Sequence, residues 1–244
     1  MSAPTAPHIE FLESVDSTNS YLVSRAGSLT PFHTVATEDQ TAGRGRLGRS
    51  WECSRGSGVA MSIALPLFPG SPEAGIYPLI VGSAVLDFVR KEGLIGAEMK
   101  WPNDILVKGS KIAGILCEMA PTGFVIAGVG LNLSHTEAQL PQESATSFAL
   151  EGVPVSEIGT FVGRLVDTMR NVWSAAANNR ASWASYLSAS LGTIGQRVEV
   201  VETRTKSWGG TAVGIDDEGH LIVRSLDDDS LRTVVAADVF HLRQ

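Results

Sequence analysis

Two apolar runs, Lys111–Met119 and Phe124–Leu133, stand on either side of Pro121-Thr122-Gly123. Runs of this length separated by a turn-forming triplet predict a hairpin, and their largely apolar character places it at the centre of a sheet. The other elements must fit around that hairpin. His8–Val15 alternates weakly, as a strand does, and Ser17-Thr18-Asn19 then supplies N-cap chemistry for a short helix ending near Gly27. Thr34–Asp39 is a second short strand, and Val59, Met61, Ile63 and Leu65 alternate with smaller residues to predict a half-buried strand over 59–67. From Pro72, the residues Ile76, Leu79, Ile80, Leu86 and Val89 recur at helical spacing until Gly93, which suits a C-cap. The clearest amphipathic stripe runs through Ile158, Phe161, Val162, Leu165, Val166, Met169, Val172 and Trp173, and a shorter helix follows it and ends near Gly192.

The pattern then changes. Arg197–Val201, Thr211–Ile215, His220–Arg224 and Leu231–Val235 read as short strands between Asp/Gly-rich turns, which predicts a small barrel. The expected division is a large domain over 1–192 and a small one over 193–244, which 244 residues can accommodate. A net charge of -7 argues against general affinity for nucleic acid, because binding to a phosphate backbone needs a Lys/Arg excess. Two cysteines, Cys53 and Cys117, are too few for a disulfide framework and lack metal-ligand spacing. The first residues have no basic-then-apolar pattern, and no run approaches a membrane span, so a cytoplasmic location is expected.

Three short stretches carry the chemistry. Residues 43–48 match G-x-G-x-x-G, but Trp51–Gly58 continues as loop, with no helix to receive a pyrophosphate and no acid in the next strand. A dinucleotide fold is therefore rejected. Gly43, Gly45 and Gly48 let the backbone approach a ligand, while Arg44, Arg46 and Arg49 alternate with them and place guanidinium groups around one volume. Such a loop suits a ligand carrying a carboxylate and a phosphate. Lys100-Trp101-Pro102-Asn103-Asp104 closes a strand, and a hairpin of 104–108 with 111–119 would bring Asp104 and Lys111 to one pocket rim. Asp104 is a candidate Mg²⁺ ligand in the company of phosphate oxygens. Gly128 and Gly130 alternate on a strand, leaving room either for a flat ligand against the backbone or for close packing of a neighbour. Cys117 reads as a buried small residue, and the five histidines, His8, His33, His135, His220 and His241, show no triad or metal spacing.

Ser17-Thr18-Asn19, the stretch Gln40–Trp51, Lys100–Asp104, Lys111–Glu118 and Gly128–Asn132 together resemble biotin–protein ligases, in order and across essentially the whole chain. The resemblance implies an α+β catalytic domain over 1–192, a mixed sheet flanked by helices related to class II aminoacyl-tRNA synthetases, and an SH3-like C-terminal domain over 193–244. It implies an enzyme that joins biotin to ATP as biotinyl-AMP and passes the biotin to a lysine of a biotin carboxyl carrier domain. Biotin would be held by Ser17, Thr18, Asn19, Gln40, Gly43, Arg44, Gly45, Arg46, Trp51, Lys111, Gly114, Gly128 and Gly130. ATP would be held by Arg44, Arg46, Arg49, Lys100, Asn103 and Asn132, with Mg²⁺ on Asp104, and Lys111 and Arg46 would act where charge develops. Residues 133–152, with Pro141, Ser144, Ala145 and Thr146, resemble the stretch that closes over the adenine. Only about ten residues precede the expected catalytic domain, so the chain looks like the monofunctional type without a DNA-binding domain. A lipoate–protein ligase would share the fold, but its Arg-Arg-x-x-Gly-Gly-Gly signature is missing. A non-catalytic biotin-binding regulator is the other alternative.

Overall fold

Seven strands, β1 (Ile9–Leu12), β2 (Thr34–Thr37), β3 (Gly58–Pro66), β4 (Ala97–Lys100), β5 (Asp104–Val107), β6 (Ser110–Ala120) and β7 (Phe124–Asn132), form one sheet in the order β1-β2-β3-β7-β6-β5-β4. The computed structural model describes residues 8–51, 55–68, 75–140, 144–178, 183–203, 205–235 and 237–242. The expected hairpin is β6–β7, turned at Gly123, whose φ of 82° suits a residue without a Cβ. It lies in the middle of the sheet. All neighbours pair antiparallel except β1 and β2, which run parallel, so the sheet is mixed.

Alternation along the strands sends residues to two faces. Val59, Met61, Ile63 and Leu65 of β3 and Val125, Ala127, Val129 and Leu131 of β7 enter the main core, with helices α2 (Ile76–Lys91) and α3 (Ile158–Asn178). Helix α1 (Thr18–Ser24) covers the far end of the other face, where Leu22 packs with Val35, Ala64 and Ile126. The strand over 59–67 is consequently not half-buried: residues 58–65 are buried on both sides, because α1 and the cavity described below cover the face that alternation alone assigned to solvent. The first two strands are shorter than expected, and α2 begins at Ile76; Pro72 lies outside the described residues.

Helix ends follow local chemistry. Ser17 caps α1 by accepting from the Ser20 amide at 3.4 Å, and Glu157 accepts from the Gly159 and Thr160 amides at 2.9 and 2.8 Å to start α3. Gly93, with φ 116°, ends α2 as its donor pattern requires: the Leu94 amide reaches the Val89 carbonyl at 3.0 Å. Phe161, Val162, Leu165, Val166, Met169 and Trp173 of α3 are all buried, so the amphipathic stripe faces the core. Helix α4 (Trp183–Ser190) then leads to the small unit.

There, β8 (Arg197–Thr203), β9 (Lys206–Ile215), β10 (Leu221–Ser225), β11 (Leu231–Val234) and β12 (Asp238–His241) form an antiparallel sheet in the order β11-β10-β9-β8-β12. Four strands are expected from the sequence and five are present among the described residues. β12 escapes that reading because Asp238-Val239-Phe240-His241 is short and shows little alternation, and the first half of β9 is hidden by Ser207, Gly209 and Gly210. The small sheet does not hang free. The Trp101 indole N–H donates to the Gly219 carbonyl at 2.9 Å, the Trp101 amide donates to Thr193 Oγ1 at 2.9 Å, and one apolar cluster continues from the large sheet into Val198, Val200 and Val239. No helix among the described residues is long and apolar enough to cross a membrane.

Candidate active site

The face of the large sheet not taken by α2 and α3 carries a cavity of about 820 Å³. Register explains its floor. Ala60 lies opposite Gly130 and Ser62 opposite Gly128 on one side of β7, while Gly114 and Leu116 of β6 lie opposite Gly130 and Gly128 on the other. These residues share one face, and because all but Leu116 are small they leave a depression in it. At its deep end the start of α1 brings Ser17, Thr18 and Asn19, all buried. The Thr18 amide donates to Gln40 Oε1 at 2.9 Å, so the helix N-terminus and the end of the second strand–loop junction are tied together.

The arginine–glycine segment folds over this depression as a small hairpin. Arg44 bridges to Ser50, the Gly45 amide donates to the Arg49 carbonyl at 2.6 Å, and the Trp51 amide donates to the Gly43 carbonyl at 2.9 Å. Its tip, Arg46–Gly48, turns with Leu47 and Gly48 at φ 56° and 75°, and among the described residues no α-helix opens from it, in keeping with the rejected dinucleotide reading. Gly43 sits at the hairpin base and does not line the cavity. A Cβ there would strike the Trp51 carbonyl and the Gln40 side chain, so its role is to let backbone segments meet.

Trp51 and Asn19 decide what the alternating glycines are for. A Cβ on Gly130 would overlap the Trp51 indole, one on Gly114 would come within 2.9 Å of it, and one on Gly128 would overlap the Asn19 amide. Of the two alternatives for Gly128 and Gly130, close packing is present here, by the Asn19 and Trp51 side chains, and both glycines still line the cavity. The indole N–H of Trp51 is buried and has no acceptor among the described residues. Lys111 Nζ stands 5.6 Å from the Trp51 ring centroid.

Of the expected site residues, all but Gly43 line this one cavity: Ser17, Thr18, Asn19, Gln40, Arg44, Gly45, Arg46, Arg49, Trp51, Lys100, Asn103, Asp104, Lys111, Gly114, Gly128, Gly130 and Asn132. The cations among them are not equally free. Lys111 pairs with Asp104 at 2.6 Å, Arg44 with Glu118 at 2.8 Å and Arg49 with Asp238 at 2.7 Å. Among the described residues, Arg46 has only the neutral amide oxygen of Asn103, at 3.3 Å, as a side-chain partner, and Asn103 in turn donates to the Ile115 carbonyl at 2.8 Å. Burial lowers the affinity of both Arg46 and Lys100 for their protons. The Arg46 guanidinium stays charged regardless, and an arriving anion would offset the desolvation of both cations and favour the charged form of Lys100. The Asn132 amide N–H donates to the Thr146 carbonyl at 3.0 Å and holds segment 144–146 beside Lys111, where Ser144 and Ala145 close the cavity wall. Pro141 lies outside the described residues.

Several residues in or behind the cavity wall carry no site assignment from the sequence. Ser62 and Glu118 bond to Asn19, and Phe240 and His241 of β12 reach the cavity from the small sheet, with Lys100 Nζ 5.6 Å from the Phe240 ring. Nothing local distinguishes a serine within an apolar strand or two residues near the end of the chain; a sheet register and a contact between sheets are needed to place them. Asp216, Glu218 and His220 also gather within 4.8 Å, which residue spacing does not suggest for any histidine. His220 Nδ1 is 3.0 Å from Asp216 Oδ2, so the group holds its own turn together. Cys117 is partly buried at the core's edge rather than wholly inside, and burial pushes its thiol up, away from nucleophile behaviour.

Residues 11–132 match the model of the biotin/lipoate A/B protein ligase family and residues 193–242 that of the biotin protein ligase C terminal domain. The chain is 36% identical to a biotin–[acetyl-CoA-carboxylase] ligase of Mycobacterium tuberculosis, over 96% of this chain and 89% of that protein. It is 30% identical to the protein of the same name from Paracoccus denitrificans, over 94% and 98% of the two chains. The fold is similar to that of a biotin protein ligase from Aquifex aeolicus in complex with biotin and ATP, with a TM-score of 0.80, 22% identity and coverage of 97% and 99%.

Proposed function

We infer that this chain, which belongs to the biotin/lipoate A/B protein ligase family, is a biotin–protein ligase: it joins biotin to ATP as biotinyl-AMP and then transfers the biotin to a lysine of an acceptor. The observation that carries this reading is a single cavity with a neutral hydrogen-bonding end and a cationic end. Ser17, Thr18 and Gln40 supply hydroxyl and amide groups at the deep end, suited to a ureido ring whose N–H and C=O groups need partners when buried. Arg46, Lys100 and Lys111 supply charge at the other end.

The reaction demands that polarity. A carboxylate oxygen attacks the α-phosphorus, pyrophosphate leaves, and two anions must approach each other against like-charge repulsion. Arg46 and Lys111 stand where both groups meet and neutralise them, and preorganised donors of this kind are the largest contributors to such steps. Lys111 is held on the cavity wall by Asp104, so the ammonium is aimed before substrate arrives. Lys100, desolvated against Phe240, faces the polyphosphate end. Arg44 and Arg49 serve the loop through their carboxylate partners more than they serve the ligand directly. In the second step the acceptor's amine attacks the carbonyl of the mixed anhydride and AMP leaves, with no covalent intermediate on the enzyme. Trp51 over the sheet and Ser144–Thr146 beside Lys111 shield the anhydride from water.

Mg²⁺ fits the donors present. Asp104 is the one carboxylate lining the cavity among the described residues, and Mg²⁺ bound with ATP asks for one or two carboxylates beside phosphate oxygens and water. When bound it would screen the phosphate charge. The same reading takes residues 1–192 as the catalytic domain and 193–244 as the C-terminal domain, a biotin carboxyl carrier domain as acceptor, and a reducing cytoplasm as compartment, where a free thiol such as Cys117 persists. Incubating the pure protein with biotin, α-labelled ATP and magnesium tests it. Labelled biotinyl-AMP is expected; its absence, or labelled lipoyl-AMP from lipoate in its place, overturns the reading.

A further inference from the structure

Ser62 and Glu118 lie outside the adenylation chemistry, yet they connect its two ends. Ser62 is fully buried on β3, with its Oγ 2.7 Å from Thr18 Oγ1 and 2.6 Å from Asn19 Oδ1. A hydroxyl has one proton and an amide oxygen only accepts, so that proton goes to Asn19 and Ser62 meets Thr18 as an acceptor, the nearer of two acceptors for the Thr18 proton, the other being Gln40 Oε1 at 3.2 Å. Asn19 carries the direction onward. Its Nδ2 donates to the Leu116 carbonyl at 3.2 Å and to Glu118 Oε2 at 2.6 Å, and the same Oε2 accepts from Arg44 Nη2 at 2.8 Å. An unbroken line of hydrogen bonds thus runs from the Thr18 hydroxyl to the first arginine of the loop. Its inner members, Thr18, Ser62 and Asn19, are buried, so no water competes for them.

Arg44 is at the base of the loop hairpin, bridged to Ser50 and so adjacent to Trp51, whose indole covers Gly130. Fixing Arg44 to β6 fixes the hairpin on the sheet. We propose that Glu118 is a positioning residue: through Asn19 and Ser62 it ties the arginine loop to the floor that receives biotin's ureido ring, and so sets where Arg46 and Trp51 stand. The substrate in this statement rests on the ligase reading; the anchor itself does not.

Two variants separate the parts. Glu118→Gln keeps an oxygen for Asn19 but removes the charge facing Arg44, and Arg44→Gln removes the other partner. By calorimetry, each single change is expected to weaken biotin binding roughly tenfold, and the double variant no further, because a contacting pair that acts as a unit is not additive. Arg44→Lys, which keeps a charge in reach of Glu118, recovers most of that loss. Without biotin, trypsin cleaves after Arg46 and Arg49 several-fold faster in both single variants than in the parent. Additive losses in the double variant, or cleavage at the parent rate, overturn the proposal. If the parent itself binds no biotin, the ligase reading fails while the trypsin comparison still decides the anchor. Arg44 is about half exposed, at 48%, so Arg44→Gln folds and its cleavage rate alone decides the point should Glu118→Gln prove insoluble.

Discussion

Lys111 and Arg46 face the same cavity with different commitments, and their variants should differ accordingly. Lys111 is already paired with Asp104, so Lys111→Ala leaves a carboxylate where the attacking and attacked groups meet. Adenylate formation is expected to fall by at least about a hundredfold, the usual cost of losing one preorganised donor at a developing charge. Biotin binding, measured by calorimetry, stays within a few-fold of the parent. Arg46 has no carboxylate partner among the described residues and donates only to Asn103. Arg46→Gly should therefore show its effect on the intermediate: a charge-assisted hydrogen bond is worth about 1.5–3 kcal/mol, which is roughly a ten- to hundredfold faster release of biotinyl-AMP in a chase experiment. An unchanged release rate would remove Arg46 from the phosphate end of the cavity.

Elements are where the glycines and the apolar stripe act. In β7, a methyl at Gly130 meets the Trp51 indole, which belongs to a surface hairpin and can move, whereas a methyl at Gly128 meets Asn19, which is buried and held from three sides. Gly130→Ala is expected to displace the loop and weaken biotin binding with little change in melting temperature. Gly128→Ala is expected to lower both. A melting curve and a biotin titration on each variant distinguish them, and equal melting losses would sink the distinction. In α3, Leu165 is fully buried in the main core, so Leu165→Ala should cost about 2–5 kcal/mol in urea unfolding, the range for a leucine cavity that cannot collapse. That loss should leave the biotin affinity of the folded protein unchanged, because α3 packs chiefly on α2, on the side of the sheet away from the cavity.

For the molecule as a whole, the decisive contacts lie between the two sheets. The Trp101 indole N–H reaches the Gly219 carbonyl, Arg49 reaches Asp238, and Phe240 and His241 stand at the cavity mouth. Trp101→Phe removes a buried donor and should cost about 1–3 kcal/mol. Acid should destabilise the protein by a related route. His33, His135 and His241 each have a proton affinity lowered from the ordinary 6.5, burial being the largest cause in each. In the window below 6.5 the unfolded chain binds protons that the folded chain refuses, so stability rises with pH there and falls on acidification. Urea midpoints taken between pH 7 and pH 5 should decline, and His135→Gln should flatten the decline. A flat or inverted profile in the parent would contradict it.

The amino-acid sequence determined most of the elements, though not β12 or the first half of β9, and the chemical character of the site, because both depend on residues close together in the chain. The apolar runs around Gly123, the stripe of α3 and the caps at Ser17 and Gly93 are legible directly, as is the clustering of arginine and glycine at 43–49. Tertiary structure alone decided which cations are spoken for, what lies over Gly128 and Gly130, that Ser62 and Glu118 brace Asn19, and that Phe240 reaches the cavity. The physical reason is separation: Asn19 meets Glu118, and Arg49 meets Asp238, only after sheet register and the packing of one sheet on the other have brought distant segments to hydrogen-bonding range, and no local propensity encodes that register.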